Sequence, residues 1–345
     1  MPDGILITGG AGFIGINVAA HYLAQGRRVV VFDNFSRAGT EQNLAWLQGE
    51  FGDRAEVVRG DVRAPGERFQ AEVERAGVLF HLAGQVAVTT SVTDPATDFA
   101  VNAQGTFNVL EAVRRSSAKP IVLYSSTNKV YGKMAAVPVA ELATRYAYAD
   151  LPDGVPESAP LDFYSPYGCS KGCGDQYVLD YARIFGLRTV VFRQSCIYGA
   201  HQFGLEDQGW VAWFTIRAQQ GKPVVIFGDG KQVRDILWID DLVAAYEAAI
   251  ARIDRVSGTA FNIGGGPAFT LSLLELIELL DRAHGKRVEH SFGAWRPGDQ
   301  RVFVSDIRKA KAELGWEPRV GPAAGVGRLA EWLAANQAVL ASVVS

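Results

Sequence analysis

Cysteine is scarce in this sequence, and neither sign of charge dominates it. The 345 residues include three cysteines, with 34 basic and 37 acidic side chains and a net charge of −3. Three cysteines cannot build a disulfide framework, and the odd number leaves one unpaired, so we expect a reducing, cytoplasmic location. The small net charge offers no basic surface for nucleic acid, and we expect no nucleic-acid partner.

Long apolar runs are also missing, and none reaches the length of a membrane span. Residues 1–4 lack the basic and apolar regions of a secretory leader, so we expect no membrane partner. Cys169 and Cys173 could share a helix face, but no histidine or carboxylate at ligand spacing joins them. We therefore expect no metal, and we interpret these thiols as core or pocket-wall residues.

The strongest local pattern lies near the start of the chain. The apolar run from Ile5 to Ile7 predicts a buried strand, and the apolar amphipathic run from Phe13 to Ala24 predicts a helix. Glycines between them and in the first turn of the helix would let a pyrophosphate approach the backbone at the helix N-terminus: Gly9, Gly10, Gly12 and Gly15. A second strand ends at Asp33, whose carboxylate could bind the ribose hydroxyls of NAD. The pattern predicts NAD as the cofactor.

Strand and helix patterns alternate through the first half of the chain. The predicted strands end in residues that could bind a ligand: Asp33, Asp61, Gly84 and Thr127. This repetition predicts an α/β fold with a Rossmann-type, doubly wound parallel sheet. From about residue 194 the alternation weakens, which predicts a smaller C-terminal lobe for the substrate. We place the NAD-binding domain at 1–193 plus about 234–264, and the second lobe at 194–233 and 265–345.

Tyr167 and Lys171 are four residues apart in a predicted helix, so their side chains share one face. A lysine ammonium near a phenol favours the phenolate, and the positive nicotinamide of oxidised NAD adds to this effect. A group with an ordinary pKa of about 10 can then act as a base near neutral pH. Thr127, at the end of a predicted strand, can hydrogen-bond the substrate hydroxyl from which this base would take a proton. The alternative is a surface pair, because this spacing is common.

Four motifs resemble those of the extended short-chain dehydrogenases/reductases, which modify nucleotide-linked sugars. The motifs span residues 8–15, 125–132, 165–171 and 228–235, and the resemblance covers nearly the whole chain. It implies a Rossmann-type NAD domain, a lobe for a nucleotide sugar, and a catalytic trio of Thr127, Tyr167 and Lys171. It also implies pairing of subunits, as a homodimer or homotetramer.

The same resemblance implies which residues bind the cofactor and the substrate. NAD would be held by Gly9, Gly12, Phe13, Ile14, Gly15, Asp33, Asn34, Asp61, Val62, Leu82, Ala83, Gly84, Asn102, Ser125, Tyr167 and Lys171. The substrate would contact Gln85, Thr127, Asn128, Cys196, Gln208, Gln232, Arg234, Arg296 and Asp299. The guanidinium groups among them would match the substrate diphosphate. A surface ion pair of Arg234 with Asp235 is the alternative.

The residues after Thr127 divide this family by reaction. Relatives that dehydrate the sugar carry Asp-Glu there, and decarboxylases carry a glutamate, whereas this chain has Asn128-Lys129. Dehydration would lack its acid and base, and hydride removal and return, as in epimerisation, remains. Stretches at 126–132, 165–172 and 192–214 resemble 2-epimerases of CDP-linked hexoses, and an insertion at 133–164 resembles a lid.

Three alternatives remain open. One is a 4-epimerase of UDP-hexoses with the same trio, and another is a nucleotide-sugar dehydratase or decarboxylase. The third is an NAD-sensing regulator without activity, which we would expect to have lost Tyr167 or Lys171.

Overall fold

The computed structural model describes residues 3–206, 208–296 and 299–343. Backbone contacts divide the chain into two compact units. Unit 1 comprises Met1–Val130, Ser165–Arg193 and Val243–Phe261, and unit 2 comprises Tyr131–Tyr164, Gln194–Leu242 and Asn262–Ser345.

The strands, in chain order, are β1 (Gly4–Thr8), β2 (Val29–Asp33), β3 (Ala55–Arg59), β4 (Ala76–His81), β5 (Ile121–Thr127), β6 (Val139–Glu141), β7 (Tyr146–Tyr148), β8 (Thr189–Gln194), β9 (Cys196–Tyr198), β10 (Val224–Phe227), β11 (Val233–Trp238), β12 (Thr259–Ile263), β13 (Thr270–Ser272), β14 (His290–Gly293) and β15 (Val302–Phe303).

The helices, in chain order, are α1 (Phe13–Ala24), α2 (Thr40–Phe51), α3 (Gly66–Arg75), α4 (Val88–Thr93), α5 (Pro95–Phe99), α6 (Gly105–Arg115), α7 (Ser165–Phe185), α8 (Trp210–Gln219), α9 (Ile239–Ile250), α10 (Ile253–Val256), α11 (Leu273–His284), α12 (Arg308–Leu314), α13 (Pro322–Ala335) and α14 (Gln337–Val343). Short 3-10 turns cover Gly52–Arg54 and Asn128–Tyr131, and one turn of π-helix covers Ala100–Gln104.

Unit 1 is built around a seven-stranded sheet in the order β12-β8-β5-β4-β1-β2-β3. The registered pairs from β3 through β2, β1 and β4 to β5 run parallel. Every residue of β1, β2 and β4 is buried, as expected of strands covered on both faces. The predicted α/β doubly wound fold is confirmed, and α1 has the bounds that the apolar pattern predicted.

Unit 2 contains a sheet in which β11 pairs with β9, β13 and β15, and a second pair, β10 with β14. The insertion forms the hairpin β6–β7. Tyr146 donates a hydrogen bond to Asp229 (2.5 Å), and Lys231 forms an ion pair with Glu141 (2.6 Å). These contacts attach the hairpin to the rest of unit 2.

The predicted division of the chain differs from this one in three places, and the shortest is residues 262–264, which we placed in the first domain and which belong to unit 2. Residues 131–164, which we placed in the first domain, belong to unit 2, because their hairpin bonds to the loop after β10. Residues 234–242 also belong to unit 2, because β11 pairs with the short strands of that unit. Hydrogen bonds and strand pairs within unit 2 therefore decide to which unit these residues belong, and their position along the chain does not.

Two local expectations are corrected by the structure. Cys169 is exposed on α7, so the interpretation of its thiol as a core or pocket-wall group is wrong, whereas Cys173 and Cys196 are half-buried. The sequence predicts a helix from about Val101 to Arg115, but its first residues instead belong to the π-helical turn, and α6 begins at Gly105. Among the helices of the described ranges, none combines the length and the apolar character needed to cross a membrane.

Candidate cofactor and catalytic site

The glycine turn between β1 and α1 has no room for a side chain at Gly9 or at Gly15. Gly9 has a φ of 68°, and a Cβ there would lie 2.6 Å from the backbone nitrogen of Ala83. A Cβ on Gly15 would lie 2.3 Å from the carbonyl oxygen of Gly9. Gly12 is the N-cap of α1 and brings no side chain over the first turn of the helix. This cradle suits a pyrophosphate, which would accept hydrogen bonds from the helix N-terminus.

The carboxylate of Asp33 stands at the end of β2, beside this turn. It accepts hydrogen bonds from the backbone N–H groups of Ala11 (3.0 Å) and Phe35 (2.8 Å). Burial raises the pKa of Asp33, and these backbone donors oppose that rise. One carboxylate oxygen can still accept from a ribose hydroxyl, since each oxygen has two lone pairs.

A second carboxylate lies one strand away, after β3. Asp61 accepts hydrogen bonds from Asn34 (2.8 Å) and from both ends of the Arg63 guanidinium (3.0 and 2.7 Å). The guanidinium holds the pKa of Asp61 at about 2. Val62 is buried against Gly105. The structure thus brings Asn34, Asp61 and Val62 together, as the cofactor prediction requires.

Asn102 fixes the loop after β4. Its Oδ1 accepts from the N–H of Gln85 (2.9 Å), and its Nδ2 donates to the carbonyl of Gln85 (3.1 Å). A Cβ on Gly84 would lie 3.0 Å from Asn102 Oδ1 and 3.8 Å from Lys171 Nζ. The predicted residues Leu82, Ala83, Gly84 and Gln85 therefore lie on a backbone segment that is held by Asn102 and faces Lys171.

The predicted catalytic trio is brought together and buried. Thr127, Tyr167 and Lys171 are 7, 8 and 6% exposed, and the hydroxyls of Thr127 and Tyr167 hydrogen-bond each other. Lys171 Nζ donates to the backbone carbonyl of Ser125 and lies 4.5 Å from the ring centre of Tyr124. Asn128 is close to Thr127, with 3.4 Å between its Oδ1 and the threonine hydroxyl. The alternative of a surface Tyr–Lys pair is excluded.

Without cofactor, the pKa values of Tyr167 and Lys171 do not favour the phenolate that we predicted. Burial raises the pKa of Tyr167 to about 12, with the hydrogen bond from Thr127 acting in the opposite direction. Burial also lowers the pKa of Lys171 to about 8, against the attraction of Asp175 and Asp98. The four-residue spacing predicts the effect of the nearby ammonium but not that of desolvation, which is the larger effect here.

Sequence reasoning missed two buried carboxylates around this trio. Asp175 forms an ion pair with Arg193, with N–O distances of 3.0 Å, and accepts from Ser126 (2.7 Å). Asp98 accepts from Ser170 (2.5 Å). Asp98 could have been found from its position, because it stands four residues before Asn102 and would share its helix face.

Unit 2 holds the predicted substrate residues of the second lobe. Arg234 is buried and pairs with Asp299 (3.1 Å), so the alternative of a surface pair with Asp235 is wrong. Arg296 lies 3.9 Å from the ring centre of Phe227, and Gln232 donates to the Phe227 carbonyl (2.6 Å). Phe227 was not predicted, although it ends β10 directly before the glycine-rich motif.

Two further predicted substrate residues of unit 2 are Cys196, which begins β9, and Gln208, which comes two residues before α8. The indole N–H of Trp210, at the start of α8, donates to the Cys196 thiol (3.4 Å). Gln208 pairs through its backbone with Leu205. Three residues of the motifs in this region, Asp207, Pro297 and Gly298, lie outside the described residues. Within the described ranges no three histidine, cysteine or carboxylate side chains form a group that could hold a metal ion.

Residues 5–264 match the family described as the NAD dependent epimerase/dehydratase family. The chain belongs to this family, and its cofactor is NAD, for which the glycine cradle and the carboxylates at the ends of β2 and β3 are suited.

Three relatives are similar over nearly their whole lengths. CDP-paratose 2-epimerase of Salmonella typhi is 47% identical over 336 residues, which cover 95% of this chain and 98% of the relative. UDP-glucose 4-epimerase of Mycolicibacterium smegmatis is 34% identical and covers 95% and 97%. The solved structure of UDP-glucuronic acid 4-epimerase from Bacillus cereus, in complex with UDP-glucuronic acid and NAD, has a TM-score of 0.82 at 26% identity, covering 96% and 99%.

Proposed function

We propose that this protein is an NAD-dependent nucleotide-sugar 2-epimerase that interconverts CDP-paratose and CDP-tyvelose or closely related CDP-hexoses. The observation that carries the proposal is the 47% identity to a CDP-paratose 2-epimerase over 95% of the chain, against 34% for the 4-epimerase relative. A UDP-hexose 4-epimerase with the same trio is the second candidate, because both reactions use the same hydride chemistry.

In this proposal Tyr167 is the base. Its phenolate takes the proton of the sugar C2 hydroxyl, while Thr127, which already hydrogen-bonds the phenol, holds that hydroxyl. The ammonium of Lys171 would stabilise the phenolate and would help to hold the nicotinamide ribose. Bound NAD supplies the hydride acceptor and then the hydride donor, so there is no net redox change. The flat 2-keto sugar turns before hydride returns, and Tyr167 gives the proton back.

Asn128 argues against a lyase. It is 7% exposed next to Thr127, at the position where dehydratases carry an acid, and an amide cannot protonate a leaving hydroxyl. Its side-chain NH₂ can still donate a hydrogen bond to a sugar oxygen. We therefore assign Asn128, together with Gln85, to contacts with the sugar.

The residues of unit 2 would bind the nucleotide. Arg234 and Arg296 supply two guanidinium groups for the diphosphate, and Asp299, which pairs with Arg234, would exchange that contact for ribose hydroxyls. Gln208, Gln232 and Cys196 would contact the base and the phosphates. In this division of roles, unit 1 binds NAD and carries the catalytic trio.

A homodimer, or a tetramer built from it, is the assembly that we propose. An aromatic face on α6 and α7 supports it, where Phe107, Tyr177 and Phe185 are each more than two-fifths exposed. Phe107 and Tyr177 pack edge to face with 6.2 Å between ring centres. Aromatic clusters of this kind are typical of protein interfaces. The three thiols, none of which is in a disulfide, accord with the proposed reducing, cytoplasmic location.

The experiment is proton NMR of the purified protein with CDP-, UDP-, GDP- and dTDP-hexoses in deuterated water. We expect inversion at C2 of a CDP-hexose without solvent deuterium at that carbon. Inversion at C4 of a UDP-hexose would replace the proposal by its second candidate. Loss of water with deuterium entering the sugar would reject both epimerase assignments and the argument from Asn128.

A further inference from the structure

A buried carboxylate, Asp98, lies directly behind the catalytic helix. It belongs to the short helix α5 and is 1% exposed. Its Oδ2 accepts a hydrogen bond from the Ser170 hydroxyl (2.5 Å), and its Oδ1 accepts from Asn102 Nδ2 (3.1 Å). Both partners are donors, which is the arrangement that an ionised carboxylate requires.

The serine partner connects Asp98 to the trio. Ser170 directly precedes Lys171 on α7, and its hydroxyl also lies 3.2 Å from the carbonyl oxygen of Tyr167. A hydroxyl has one hydrogen to donate, and the shorter contact to Asp98 takes it. Asp98 therefore restrains the turn of α7 that carries both Tyr167 and Lys171.

The amide partner connects Asp98 to the cofactor-binding loop. Asn102 lies in the π-helical turn, and its side chain is paired in both directions with the backbone of Gln85. Asn102 Nδ2 also lies 3.1 Å from the Ser170 hydroxyl. The same carboxylate thus joins the loop at Gly84 and the catalytic helix in one hydrogen-bonded group.

The charge of Asp98 acts on the trio as well. Lys171 faces Asp98 from α5, Asp175 from α7, the Tyr124 ring from β5 and the neutral His81 from β4. Tyr167 faces Asp98, the Thr127 hydroxyl and Arg37 from the loop after β2. Asp175 is paired with Arg193, whereas the hydrogen-bond partners of Asp98 are uncharged. Asp98 is thus the carboxylate whose charge acts on Lys171 without an arginine partner of its own.

We propose that Asp98 is a positioning residue for catalysis, which uses Ser170 and Asn102 to hold the Tyr167–Lys171 turn and the cofactor loop at a fixed separation. The proposal rests on the proposed function, since it assigns Asp98 a role in that reaction. A displacement of about 1 Å between reacting groups can lower a rate by about a hundredfold. Removal of Asp98 should therefore affect kcat, and the substrate KM should change little.

The test compares Asp98→Asn with the wild-type holoenzyme. We expect kcat to fall by about tenfold to a hundredfold at an unchanged substrate KM. Loss of the negative charge should also move both limbs of the pH profile of kcat to lower pH by about one unit, because Lys171 then loses its proton more easily and Tyr167 ionises more easily. A lower kcat with an unmoved profile, or an unchanged kcat, would overturn the proposal.

Two further variants separate position from charge. Ser170→Ala keeps the carboxylate, so kcat should fall while the pH profile stays in place. Asp94→Ala is the matched control: Asp94 caps the same helix through the N–H of Thr97 (3.0 Å), and its loss should leave the profile unmoved. Bound NAD, measured after denaturation, reports folding of each variant independently of turnover.

Failure of the proposed function would be recognised separately. If the wild type inverts a UDP-hexose at C4 and no CDP-hexose at C2, the same comparison of variants is made on that substrate. The proposal for Asp98 is overturned if an active wild type and Asp98→Asn share the same kcat, or if they share the same pH profile.

Discussion

Burial makes Tyr167 a weak acid in the protein alone, and this has a measurable consequence. At a pKa of about 12, about one phenol in a hundred thousand is ionised at neutral pH. Lowering that pKa to about 7 requires about 7 kcal/mol of additional stabilisation of the phenolate. A unit positive charge about 4 Å away, at an effective dielectric constant of about 20, supplies about 4 kcal/mol. The oxidised nicotinamide should therefore lower the pKa of Tyr167 to about 9.

Ultraviolet difference spectra can follow this ionisation directly. The tyrosinate signal is titrated with pH in the wild type and in Tyr167→Phe, and the difference isolates Tyr167 from the other tyrosines. We expect the midpoint near 12 without cofactor, about three pH units lower with oxidised NAD, and near 12 again with NADH, whose ring is neutral.

The Tyr167→Phe variant also tests the role of the phenol in turnover. Tyr167→Phe should retain NAD, because the loss of one hydroxyl leaves the glycine cradle intact, while kcat falls by about 10²- to 10⁴-fold. The reasoning is refuted if Tyr167 ionises below pH 9 without cofactor, since burial would then not control its pKa. It is refuted equally if oxidised NAD and NADH give the same midpoint.

Three further variants test the cofactor site and the framework beneath it. Asp33→Ala should weaken NAD binding by about tenfold or more, measured by calorimetry on stripped protein, and an unchanged affinity would reject the ribose contact. His81→Gln should remove acid sensitivity: burial lowers the pKa of His81 to about 3, so between pH 7 and 5 the wild type should lose about 2 kcal/mol of unfolding free energy that the variant keeps in urea titrations. Asp175→Ala removes the carboxylate that pairs with the buried Arg193 and should cost about 3–5 kcal/mol, against less than about 1 for the exposed control Asp180→Ala; equal losses would contradict the buried-pair argument.

Local periodicity accounts for what the sequence could predict. The helix from Phe13 to Ala24 and the strands around it follow from apolar spacing, glycines and a carboxylate within a few residues of one another. The pairing of Tyr167 with Lys171 followed from a four-residue spacing on one helix, and the full trio and the family from ordered motifs. Each of these patterns lies within a short stretch of the chain.

The features that were missed depend on contacts between distant residues. Asp98 and Ser170 are 72 positions apart, and Arg234 and Asp299 are 65 apart, so no local pattern pairs them. The raised pKa of Tyr167 depends on desolvation, which spacing does not report. Cys169 is exposed because its helix turns that position outward, although its residue type is usually buried.

The central claim is that hydride leaves C2 of the sugar and returns to the same carbon. A CDP-hexose of the paratose type carrying deuterium at C2 tests it most directly, with NMR and mass spectrometry of the product. We predict an inverted C2 that keeps its deuterium, with the protein's NAD oxidised at the start and at the end. Inversion with loss of that deuterium to water, or inversion at another carbon, would contradict it.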